Sequence, residues 1–78
     1  MAETKEMLVF AEKLREARIA AGYRSAAKFA RAIGIESAAY RMYERGDFPP
    51  RVGTLLRICR QLNLTPNDLL WDLTRGER

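Results

Sequence analysis

SAAKFARAIGIESAAYRMYERG, residues 25–46, is the stretch that decides the fold. Apolar positions recur at helical spacing on both sides of Gly34, with Phe29, Ala30 and Ile33 before it and Tyr40 and Tyr43 after it. Ser25 is suited to cap a helix over Ala26 to Ile33, because its hydroxyl can accept a free N–H of the first turn. Gly34 permits a sharp turn, Ile35 follows it, and a second helix is expected from Ser37 to Arg45 with Gly46 closing it. Two short helices joined by about three residues round a glycine make a helix-turn-helix.

The rest of the chain extends the same all-helical pattern. Upstream, Met7, Phe10, Ala11, Leu14, Ala17 and Ala21 fall three and four residues apart, which predicts an amphipathic helix from about Thr4 to Ala21 that Gly22 ends. Downstream, Phe48-Pro49-Pro50 reads as an extended loop, since a proline biases the residue before it away from helix. A fourth helix is expected from about Val52 to Leu62, with Val52, Leu55, Leu56, Cys59 and Leu62 as its core stripe. Thr65 as cap, Pro66 at the first helical position and Asp68 three residues after the cap announce a fifth, carrying Leu69, Leu70, Trp71 and Leu73. The expected architecture is a compact five-helix, all-α domain over residues 1–78, with its core at about 8–73 and frayed ends.

Charge is concentrated on the decisive stretch. The 78 residues carry a formal net charge of +4. Residues 24–60 hold Arg24, Lys28, Arg31, Arg41, Arg45, Arg51, Arg57 and Arg60 against only Glu36, Glu44 and Asp47, while the two flanks together are slightly acidic. A basic segment coinciding with a helix-turn-helix points to an acidic partner, duplex DNA first among them. With no His and Cys59 alone, no metal site, no cofactor and no disulfide are expected, and no nucleophile–base pair or glycine-rich phosphate loop suggests an enzyme. No stretch approaches the roughly 18 apolar residues of a membrane span, and Met1 to Phe10 does not read as a signal sequence, so a cytoplasmic, nucleoid-associated protein with no membrane partner is expected.

Three stretches in combination resemble the repressor and Cro type helix-turn-helix domains of bacteria and phages, the Xre family. They are Lys28-Phe29-Ala30-Arg31-Ala32-Ile33-Gly34-Ile35, then Tyr40-Arg41-Met42-Tyr43-Glu44-Arg45-Gly46, then Leu55-Leu56-Arg57-Ile58-Cys59-Arg60-Gln61-Leu62 after Pro50. The resemblance covers roughly Leu14 to Leu70. It implies a sequence-specific transcriptional regulator of repressor type that binds operator DNA as a homodimer. It also implies that Arg18, four residues before Gly22, pairs with Glu44 to brace the third helix on the first. The family reads base edges from positions matching Ser37, Ala38, Arg41 and Met42, and holds phosphates or the minor groove from positions matching Arg45 and Arg51.

Three of the four reading positions depart from what base readout needs. Ala38 has no polar side-chain atom, Met42 is a weak acceptor and Ser37 discriminates bases poorly, so Arg41 alone can make a bidentate contact to guanine. Ala38 and Met42 suit thymine methyl groups. Arg24, Ser25 and Lys28, at the start of the second helix, join Arg45 and Arg51 as expected phosphate contacts. Leu70, Trp71 and Leu73 are the expected dimer surface, with Trp71 as a lid on the monomer core as the other reading. The alternative function is a helix-turn-helix module that binds a partner protein, as an antitoxin or accessory regulator does, with weak or no specific DNA readout.

Overall fold

A computed structural model describes the backbone of residues 5–75 and the side chains of residues 5–70. Five helices follow in order: α1 Lys5–Ala20, α2 Ala26–Ala32, α3 Ser37–Arg45, α4 Val52–Leu62 and α5 Pro66–Arg75. There is no strand among the described residues. α3 is the hub, packed against both α1 and α2, and α5 closes the bundle against α1 and α4.

Local chemistry explains where each helix begins and ends. The Ser25 hydroxyl accepts the Lys28 N–H at 3.2 Å, capping α2. α2 stops one residue before the expected Ile33, and Gly34 at φ 79° lets the Ile35 N–H donate to the Ala30 carbonyl at 3.0 Å. Thr65 and Asp68 form a reciprocal capping box at the start of α5: the Thr65 N–H donates to Asp68 Oδ2 at 2.8 Å and the Asp68 N–H donates to Thr65 Oγ1 at 3.3 Å.

The core joins Phe10 and Leu14 of α1, Phe29 and Ala30 of α2, Ile33, Tyr40 of α3, Ile58, Cys59 and Leu62 of α4 and Leu69 of α5. Ala30 is fully buried, so its lack of bulk lets α2 approach α3 closely. An edge-to-face chain of aromatic rings runs through the bundle, Tyr23 on Phe29 at 5.0 Å, Phe29 on Tyr40 at 5.3 Å, Tyr40 on Tyr43 at 6.1 Å and Tyr43 on Phe48 at 6.0 Å. Such pairs favour this geometry because the positive ring edge meets the negative face of its neighbour.

Two expected core stripes are corrected. Ala21 lies beyond the end of α1 in an exposed turn, and it is Arg18 that continues the buried face of that helix. On α4 the buried residues are Ile58, Cys59 and Leu62, with Leu55 half-buried, whereas Val52 is 73% exposed and Leu56 43% exposed. At 100° per residue, Leu56 sits roughly 110° round the helix from the middle of the buried arc, and Val52 at the first position falls at the rim of the bundle.

Candidate nucleic-acid interface

The two sides of α3 do different things. Tyr40 is fully buried, Tyr43 and Glu44 are half-buried, and these three residues turn toward the bundle. Ala38, Arg41 and Arg45 are exposed, Met42 and Ser37 half-buried, and helical spacing puts Ala38, Arg41, Met42 and Arg45 on one outward face. Arg41 has no hydrogen-bond or ion-pair partner among the described residues, so its guanidinium is available to a ligand.

The inward side is anchored by a buried charged group of side chains. Arg18 Nε donates to Glu44 Oε2 at 2.6 Å and Arg18 Nη2 to Glu44 Oε1 at 3.2 Å, a two-pronged contact between α1 and α3. Arg18 Nη1 also donates to the Tyr23 carbonyl at 2.8 Å, tying in the loop before α2. The Tyr40 hydroxyl donates to the same Glu44 Oε2. Its hydrogen bond to Glu44 raises the pKa of Arg18 above the ordinary value in spite of burial. Burial first, and the Glu44 carboxylate second, hold the Tyr40 phenol far above its usual range, so it stays a donor. No buried side-chain nitrogen or oxygen among the described residues lacks a partner.

The basic residues round α3 differ in what holds them. Arg24, Lys28 and Arg51 are exposed, as phosphate contacts need to be. Ser25 is half-buried and its oxygen already accepts the α2 cap bond, and its hydroxyl hydrogen is what it can offer a phosphate. Arg45 is exposed yet engaged: its Nε and Nη2 donate to Asp47 Oδ2 at 3.0 and 2.7 Å. Arg57 of α4 leans over the turn between α2 and α3, with Nη1 3.4 Å from the Ile33 carbonyl oxygen. Sequence reasoning assigned no role to Asp47 or Arg57. An Arg-Gly-Asp run across a helix-ending glycine is the signal for the first, and there is none for the second, since Ile33 and Arg57 meet only in the folded bundle.

Leu70 is half-buried against the core and lines an apolar cleft with Met7, Phe10, Tyr43, Phe48 and Leu55. Trp71 and Leu73 lie on α5, and their side chains fall outside the described residues. No helix among the described residues is long and apolar enough to cross a membrane. Among the same residues, no group of three or more His, Cys, Asp or Glu could hold a metal ion.

The family model for helix-turn-helix proteins matches residues 14–69. The crystal structure of the restriction-modification controller protein C.AhdI from Aeromonas hydrophila is similar with a TM-score of 0.78 and 26% identity, over 85% of this chain and 98% of that one. The solution structure of the SOS-response transcriptional repressor LexA from Eubacterium rectale is similar in fold, with a TM-score of 0.79 and 24% identity over 90% of this chain and 73% of that one. No curated protein matches the chain.

Proposed function

The chain belongs to the helix-turn-helix family, and on that premise we propose that it is a transcriptional regulator that binds operator DNA as a homodimer through the outward face of α3. The observation that carries this reading is the division of α3. Tyr40, Tyr43 and Glu44 fasten one side to the bundle, while Ala38, Arg41, Met42 and Arg45 form an outward, net-positive face on a helix, the element a major groove admits. Arg41, unpaired within the described residues, is the reader of guanine, a contact worth about 1–3 kcal/mol of discrimination. Ala38 and Met42 pack on thymine methyl groups, and DNA shape supplies the remaining preference. Arg24, Ser25, Lys28, Arg45 and Arg51 grip phosphates and set the register. That a restriction-modification controller shares the fold at 26% identity supports a regulatory role.

Duplex affinity measured against salt concentration tests the proposal, with Arg41→Ala and Arg45→Ala beside the parent. Loss of Arg45 is expected to weaken binding to all sequences alike and to flatten the salt slope by about one unit. Loss of Arg41 is expected to reduce the preference among sites selected from a random pool. A parent protein that binds no duplex even at low salt would overturn the DNA reading and leave the protein-binding module, which the bare reading positions Ala38 and Met42 favour.

A further inference from the structure

Arg41 and Arg45 stand one turn apart on the outward face of α3, but they are held differently. Arg41 has no partner among the described residues, whereas two nitrogens of Arg45 converge on a single oxygen of Asp47. The backbone fixes that meeting. Gly46, in the left-handed region at φ 80°, ends α3, its N–H donating to the Tyr43 carbonyl at 3.2 Å and the Asp47 N–H to the Met42 carbonyl at 3.0 Å. Gly46 is itself buried under Leu8 of α1, so the segment carrying Asp47 is pinned from both sides. The carboxylate lies at the negative end of the α3 dipole, where Arg45 is the cation that offsets it.

We infer that Asp47 limits the affinity of this interface for nucleic acid of any sequence, as an internal competitor that occupies Arg45 and weakens its grip on phosphate. The inference rests on the DNA-binding reading above. An exposed ion pair is weak, so a phosphate displaces Asp47 from the guanidinium. The displaced carboxylate cannot leave, because Gly46 holds it within a Debye length of the same phosphate, and it repels that phosphate. Phosphate contacts strengthen binding to every sequence alike, while Arg41 reads bases. Holding that grip down therefore lowers affinity for all duplexes by a common factor and leaves discrimination, the ratio of specific to non-specific affinity, to Arg41.

The test uses the full chain and a mixed-sequence duplex lacking any selected site, with affinity followed by fluorescence anisotropy over a range of salt. Asp47→Asn is compared with the parent, Arg45→Ala, the double variant, and Glu16→Gln. Glu16 is exposed on the side of α1 away from its buried face, so its neutralisation adds the same charge without touching Arg45. Asp47→Asn is expected to bind about three- to tenfold tighter than the parent at low salt, with the gain shrinking as salt rises, and Glu16→Gln to gain less than about twofold. Asp47→Ser should reproduce the gain. In the Arg45→Ala background, Asp47→Asn should add no more than Glu16→Gln does. An Asp47→Asn gain no larger than that of Glu16→Gln, or one that survives intact without Arg45, would overturn the inference while DNA binding by the parent stands. A parent that binds no duplex overturns both.

Discussion

Arg18 and Glu44 illustrate why a pair of charges can be an architectural element at the scale of single residues. Their side chains are only 6% and 10% exposed, so both have lost most of their hydration. Such a pair holds only where geometry and further hydrogen bonds replace the lost water. Here Glu44 accepts from two nitrogens of Arg18 and from the Tyr40 hydroxyl, and the remaining Arg18 nitrogen reaches the Tyr23 carbonyl. Removing one member leaves the other buried without its counter-charge. Arg18→Ala should therefore destabilise the fold by about 3–5 kcal/mol, and the Arg18→Ala, Glu44→Ala double variant should lose clearly less than the sum of the two single losses. Chemical denaturation of the four proteins measures this. Small additive losses would mean that the two charges are solvated separately. The partnership was legible only through the family resemblance, because the two residues lie 26 positions apart and nothing local to either names the other. Tyr40 and Glu44 are four apart on one helix, but the ring of Tyr40 reads as core and its hydroxyl bond follows only once Glu44 is known to turn inward.

Helices begin and end here where backbone chemistry allows, and this is the part of the fold most open to sequence reading. Ser25, Gly34, Gly46 and the Thr65–Asp68 box are local signals, each acting within three or four residues. The buried face of α4 was less legible, because Val52, Leu55, Leu56, Ile58, Cys59 and Leu62 spread over an apolar arc of roughly 160°, wider than the part the bundle covers, and only the packing of the other helices decides which part that is. Asp47 was passed over for a related reason: its role depends on the turn geometry that Gly46 imposes. That geometry predicts a contrast between two glycines. Gly46→Ala forces a side chain into the left-handed region and brings its Cβ within 2.8 Å of Leu8 Cδ2. The strained backbone should cost about 1–2 kcal/mol, and Leu8 must also shift. Gly53→Ala, in the first turn of α4 with nothing within 4 Å of the new Cβ, should instead stabilise by about 0.5–1 kcal/mol. Thermal unfolding of the two variants should therefore move in opposite directions, and equal shifts would mean that Gly46 is not required by its conformation.

For the whole molecule, the unresolved demand of the proposed function is reach. One α3 of nine residues touches few base pairs, and with Arg41 as the main reader a single copy cannot pick one site from a genome of competitors. Two copies related by a two-fold axis double the readout and place their reading helices in major grooves about 34–36 Å apart. The sequence offers α5 for that contact, through Leu70, Trp71 and Leu73. The structure adds a rival, since Val52 and Leu56 expose apolar side chains four residues apart on α4. The proposed dimer is expected to use α5, where a large aromatic beside Leu70 can supply most of the association energy on a short helix. Sedimentation equilibrium separates the two surfaces. Trp71→Ala should weaken self-association at least about tenfold, as truncating a central aromatic does, while Val52→Ser with Leu56→Ser should leave it within about twofold. The reverse pattern would move the dimer contact to α4. Self-association unchanged in both variants would place the dimer contact on another surface, and a parent that sediments as a monomer would leave pairing to the two halves of the operator.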